Sequence, residues 1–198
     1  MPSTCHPTTR SPVRLLRLVL LGVALLAHFA VSAQTVRVGV YANEPKLLQG
    51  ADGRLSGIFG ELLEHIAETE GWTLQAVPCE WQQCLEQTRD GSIDLMPDVA
   101  WSEERAAFLS FHSTPALFSW SQLYSHGDLR LASLLDLQGR RIAVLQGSVQ
   151  QEYLQNLLDS FGVQAQLLPQ ASLLEGFALV ASGGADAAVA NQRFGDFQ

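Results

Sequence analysis

Basic side chains are scarce in this chain: 12 Lys and Arg stand against 20 Asp and Glu over 198 residues. Three of those arginines, Arg10, Arg14 and Arg17, crowd into the first 33 positions. The remainder therefore carries 9 basic and 20 acidic residues, a net charge of −11. With no basic stripe to displace counterions from a phosphate backbone, nucleic acid and anionic membrane surfaces are excluded as partners. Cysteine is equally sparse. Cys79 and Cys84 lie five apart with no nearby histidine and so lack zinc-finger spacing, while Cys5 stands before the N-terminal apolar run rather than after it. His65, His112 and His126 form no ligand pattern and read as surface or satisfied polar residues, so neither metal nor cofactor is expected. Apart from the run at Leu18–Val31 no segment could span a bilayer, and there is no low-complexity stretch or sequence repeat. Ser102, Ser110 and Ser148 have no histidine at informative positions, so no catalytic triad can be read, although spacing alone leaves a spatial one open.

What is present is apolar content enough for a core. At 47% hydrophobic residues the chain is expected to be globular, with one domain or two small lobes. Arg10, Arg14 and Arg17, the apolar run and Val31-Ser32-Ala33 read as an export signal over residues 1–33 and a periplasmic location. A retained anchor is the alternative; His28 interrupts the run, which falls short of the roughly 20 apolar residues a span needs. In an oxidising compartment Cys79 and Cys84 are then read as a disulfide.

Hydrophobic periodicity sets out an alternating α/β order. Val36, Val38 and Val40 form an opening strand, Ile58 to Ala67 a helix closed by Gly71, Leu74 to Val77 a strand, Trp81 to Asp90 a helix with Leu85 inward, and Ile93 to Met96 a third strand. Two successive βαβ units of this kind predict a parallel sheet. Helical period then disappears from Ser113 to Gly127, where Trp120, Leu123 and Tyr124 suggest an extended crossover. The pattern restarts with strands at Ile142 to Leu145, Gln164 to Leu168 and Ala187 to Ala190, and helices near Ser148 and over Leu173 to Ala181. The expected division is lobe 1 over 34–112, a crossover over 113–127 and lobe 2 over 128–198.

The richest stretch is Ile93 to His112, "IDLMPDVAWSEERAAFLSFH". Pro97 removes a backbone donor and stops the strand, Ser102 is a good N-cap, and Glu103 and Glu104 suit the positive end of the helix dipole. Arg105 follows one turn in, where a guanidinium can grip a carboxylate by two parallel hydrogen bonds. The plainer alternative pairs Arg105 with Glu103, Glu104 or Asp98 on a solvated face. In open α/β sheets, ligands sit outside the carboxyl ends of the strands. Four loops qualify: Asn43 to Lys46, Asp98 to Arg105, Gln146 to Gln150 and Asn191 to Phe194. Together they suggest a cleft between lobes.

The segments "VRVGVYANEP", "GRLSGIFGELLEHIA", "DGSIDLMPDVAWSEERAAFLSF", "LLDLQGRRIAVLQGS" and "GGADAAVANQRFG" resemble, in order and spacing, the extracellular solute-binding proteins of family 3. The resemblance covers nearly all of Val36 to Gln198. It implies a two-lobed periplasmic-binding-protein fold of the α/β class that closes over a small organic acid or amino-acid-like solute. It also implies a chain that stops before the usual return to the first lobe. By the same resemblance Arg105 grips the ligand carboxylate, aided by Ser102 and the preceding turn, and the loop Gln146, Ser148, Val149 adds amides from the second lobe. Two departures stand out. Ala100 replaces a frequent hydroxyl, and Asn191 replaces the acid that usually receives an α-ammonium, which favours a carboxylate on another scaffold. Asp98 is expected to contribute backbone rather than its carboxylate, and Trp101 and Trp81 are expected in the core or the cleft wall. Asn43 and Glu44 shape the cleft entrance, with Glu44 able to meet a cationic group. "VPCEWQQCLEQ" and "AVANQRFG" look most like sensory inputs of histidine kinases and diguanylate cyclases, whose partner would be a membrane signalling module. A transporter's soluble receptor, with a permease as partner, is the alternative. A cyclohexadienyl-dehydratase-like lyase using Glu44 or another cleft acid is a further one.

Overall fold

The computed structural model describes residues 33–127 and 129–198. The expected export signal therefore lies, save for Ala33, outside the described residues.

Two separate sheets organise the chain. In the first, β1 (Gln34–Val40) and β4 (Trp72–Pro78) pair in parallel, in register from Gln34 opposite Trp72 to Val40 opposite Pro78. A hairpin of β2 (Leu48–Gln49) and β3 (Leu55–Ser56) leads into α1 (Gly57–Glu70), which returns to β4 and so makes the predicted parallel crossover. The alternating valines Val36, Val38 and Val40 bury against Leu47, Leu55 and Leu63, giving this sheet its own core. Helix α1 stops at Gly71, whose φ of 69° is open to a residue without a Cβ. Helix α2 (Trp81–Asp90) buries Trp81, Cys84 and Leu85 on one face.

The third strand expected at Ile93 to Met96 is reduced to one parallel bridge between Leu95 and Val38. The amides of Asp94 and Leu95 both donate to the Arg37 carbonyl, at 2.9 and 3.1 Å, which bends the chain against the edge of β1. Pro97 then denies it a further donor. Gly39 N still donates to the Leu95 carbonyl at 2.9 Å, so the turn after Met96 stays aligned with the end of β1.

The second sheet has the order β5-β8-β6-β7, with β5 (Ser121–Ser125) antiparallel to β8 (Ala187–Asn191) and β6 (Arg141–Leu145) parallel to both β7 (Gln166–Gln170) and β8. The segment read as a crossover thus ends as a strand of this sheet. Helix α4 (Val149–Phe161) packs Leu154 and Leu158 onto Ile142, Val144 and Val189. Alanines at 143, 185 and 188 give α5 (Leu173–Ala181) a close approach on the other face.

A further apolar cluster joins the two halves. Tyr41, Trp81, Cys84 and Leu85 pack with Leu145, Leu173, Ala190 and Phe194, and Phe194 is fully buried between Phe177 and its own helix, α6 (Gln192–Phe197). Burying side chains of this size is worth about 1.5–3 kcal/mol each, which holds the carboxyl ends of the two sheets face to face.

Candidate ligand-binding site

All four loops picked out by the strand-end rule meet around one small cavity of about 60 Å³. Tyr41, Asn43 and Lys46 come from the loop after β1, and Asp98, Ala100 and Arg105 from the loop after the Leu95 bridge. Leu145, Ser148, Val149 and Gln150 follow β6, and Asn191 ends β8; Trp81 and Leu173 close the wall.

Arg105 stands on the short helix α3 (Glu103–Ala106), whose N-cap Ser102 accepts from the Arg105 amide at 3.2 Å. Its side chain turns inward rather than to solvent, and the residue is only 6% exposed. The guanidinium donates to the Ala100 carbonyl at 2.9 Å and to the Gly147 carbonyl of the opposite loop at 3.0 Å, and it lies 5.1 Å from the Trp81 ring centroid. Among the described residues it makes no salt bridge, so the plainer reading of a surface ion pair does not hold. Burial lowers its pKa from the ordinary arginine value and outweighs the opposing pull of Tyr41, Glu104 and Glu152.

Next to it lies a network that sequence reasoning did not single out. Lys46 Nζ is 2.7 Å from Asp98 Oδ2, with both side chains largely buried. Tyr41 Oη donates to the Asp98 carbonyl and carboxylate at 3.1 Å, and Asn43 Nδ2 donates to Tyr41 Oη at 2.8 Å and to Asp98 Oδ2. Burial, then the Asp98 charge, raises the Tyr41 hydroxyl well above its usual range, which keeps it a proton donor. The Asp98 carboxylate, expected to stay out of the pocket, is thus part of it, because Lys46 neutralises it. With Arg105 added, the cavity walls carry one net positive charge, suited to a single anion. Lys46 is the chain's sole lysine, a signal that could have marked it.

Asn191 caps α6, accepting from the Phe194 amide at 3.0 Å, and donates across the cleft to Asn43 Oδ1 at 3.2 Å. Gly147 has φ of 67°, a left-handed backbone conformation that favours glycine at this turn. The amides of Gln146, Gly147 and Ser148 donate to Gln170 O, Gln151 Oε1 and Leu145 O. What this loop offers Arg105 is instead the Gly147 carbonyl, which also accepts from Trp81 Nε1 at 3.4 Å.

Of the residues singled out from sequence, Asn43, Asp98, Ala100, Arg105, Ser148, Val149 and Asn191 line this cavity. Ser102 and Gln146 face a neighbouring opening, Trp101 faces another, and Glu44 lines none of the three. One Glu44 carboxylate oxygen is buried without a hydrogen-bond partner. Trp101 is 65% exposed, which removes the core reading, whereas Trp81 is core and cleft wall at once. Cys79 and Cys84, at the start of α2, have Cα atoms 5.4 Å apart and sulfurs within bonding distance.

Residues 36–128 match the family model of bacterial extracellular solute-binding proteins, family 3. Among curated proteins none matches the chain. Among solved structures it is similar to a histidine kinase sensor domain with similarity to periplasmic binding proteins, at 26% identity and a TM-score of 0.73, covering 83% of this chain and 71% of that one. An ancestral arginine-binding protein bound to glutamine is 26% identical with a TM-score of 0.69, covering 79% and 69%. An ancestral amino acid-binding protein, a precursor of cyclohexadienyl dehydratase, shares the fold at 23% identity and a TM-score of 0.70, covering 79% and 70%. Residues 36–128 thus resemble family 3, and the chain shares a fold with these binding proteins and this sensor domain.

Proposed function

We propose that this domain, exported to the periplasm, closes over a small carboxylate-bearing solute. In this reading Arg105 is the anchor, and Asn43, Asp98 with Lys46, Ser148, Val149 and Asn191 surround it. One observation carries the reading: a buried guanidinium that makes no ion pair among the described residues, positioned where four loops from two sheets converge. A desolvated cation of this kind gains a charge-assisted, bidentate partner when a carboxylate replaces the Ala100 and Gly147 carbonyls that now satisfy it. The same exchange explains closure as a hinge motion between lobes 34–112 and 128–198, because Gly147 and Ala100 lie on opposite sides of the cleft. The first measurement is calorimetric screening of amino, keto and aromatic acids. Arg105→Ala is then expected to weaken the best ligand at least tenfold, about 1.4 kcal/mol. Unchanged affinity sinks the anchor.

The role we favour is sensory input to a membrane signalling protein, supported by the likeness to a kinase sensor domain and by Asn191. That asparagine offers an α-ammonium no charge, which argues against an ordinary amino acid as cargo. Amino-acid binding by the similar ancestral protein supports the alternative, a transporter's receptor. A kinase or cyclase encoded in frame downstream would decide for the sensor, and a permease gene beside an independent reading frame for the receptor. That a similar structure is an amino-acid-binding protein supports a binding domain over an enzyme. Glu44, the acid considered for a dehydratase, does not line the cavity, and Asp98 is held by Lys46.

A further inference from the structure

The inner cavity is small. Its volume of about 60 Å³ is far below the 590 and 640 Å³ of the openings beside it, so a solute of any length extends into one of them. Two larger openings adjoin it, and they differ in chemistry. The opening shared through Arg105 and Ser148 measures about 590 Å³ and is lined by Glu86, Glu104 and Glu152 against Arg89, with glutamine and asparagine between them. That opening is acidic and suits a polar or cationic tail better than an uncharged apolar one. The other measures about 640 Å³ and shares six lining residues with the inner cavity, among them Lys46, Ala100 and Val149. Its far wall is Phe59, Trp101, Phe111 and Trp120. Its charged or titratable side chains are Lys46 and Asp98, which pair with each other, and His112. Trp101 and Trp120 are 65% and 63% exposed, a large aromatic surface left facing this opening. Ala100 stands at the passage between the two spaces with only a methyl group.

We propose that this aromatic vestibule is the second half of the ligand site, and that the solute is a monocarboxylate with an uncharged aromatic tail. The carboxylate sits at Arg105 and the tail passes Ala100 and Val149 to lie against Trp101 and Trp120. Indole rings bind such a tail by area and by offset or edge contacts. Within this vestibule a cationic tail would find only one acid, Asp98, already held by Lys46. The proposal rests on the anchor assigned above.

Phenylpyruvate and pyruvate are a matched pair of probes, differing by one phenyl group, with arginine as the cationic comparison. Titration calorimetry on the purified protein is expected to show phenylpyruvate binding at least about tenfold tighter than pyruvate and tighter than arginine. Trp101→Ala and Trp120→Ala, both at exposed side chains, should each lower the phenylpyruvate-to-pyruvate affinity ratio about fivefold. Equal affinities for the two acids, a ratio unmoved in both variants, or preference for arginine overturns the proposal. If pyruvate binding depends on Arg105 while the phenyl group adds nothing, the anchor survives and only the vestibule fails. Binding of neither acid, or binding indifferent to Arg105→Ala, removes both.

Discussion

Lys46 and Asp98 show how much a single pair changes the meaning of a site. Alone, Asp98 would repel a carboxylate ligand; paired with Lys46 at 2.7 Å it becomes a neutral scaffold that orients Tyr41 and Asn43. Breaking a buried pair by removing one partner leaves an uncompensated charge, typically costing about 3–5 kcal/mol. Lys46→Met should therefore lower unfolding stability by about 3 kcal/mol in urea titration, with Lys46→Met/Asp98→Leu recovering most of that loss. A double variant no better than the single one would show that the pair is not coupled in this way. Arg105 was readable from its place after Pro97 and Ser102, because cap and turn chemistry are local. Lys46 was not, because its partner lies 52 positions away and only the fold brings them together.

Helices announced themselves at the scale of elements. Ser102, Ser148, Ser172 and Asn191 each accept from the amide three residues on, and Gly71, Gly91 and Gly162 end three helices in the left-handed region. Asn191→Ala should cost about 1–2 kcal/mol in thermal or chemical unfolding, since the cap of α6 and the link to Asn43 go together. Stability within about 0.5 kcal/mol of the parent would mean the cap is replaced by solvent. Reduction of the Cys79–Cys84 pair should lower Tm modestly, corresponding to about 2 kcal/mol or less for so short a loop. An identical melting curve with and without reductant would show that the bond is not formed in the purified protein. The strand expected at Ile93 to Met96 was misjudged because apolar pattern reports burial, not pairing. Ile93 is indeed buried, but the double acceptance by Arg37 O leaves only Leu95 bridged.

Over the whole molecule, acid should undo what charge pairing supports. Arg37 donates to Asp94 from its backbone and guanidinium, and these bonds hold the Asp94 carboxyl at about 2. Asp186 is lowered likewise by Arg141, and Asp136 by the amides of Ala132 and Ser133. Each carboxyl is depressed below the ordinary aspartate value of about 3.9, so its stabilisation is present above that value and is lost as pH falls through its lowered folded value, which for Asp94 is about 2. Tm should fall through this window, and Asp94→Asn should flatten part of that fall while lowering Tm at neutral pH. A variant with the parent's acid profile would exclude the Arg37 pair as a contributor. The sequence by itself marked most of the elements, their alternation and the four loops, because periodicity, caps and strand-end rules act over a few residues. It also marked Arg105 and the cysteine pair. Only the tertiary structure decided which loop residues share a cavity, that Asp98 is neutralised, that Trp101 faces solvent, and that Gly147 presents its carbonyl. Those outcomes depend on side chains far apart in sequence, placed by the packing of two sheets across one cleft.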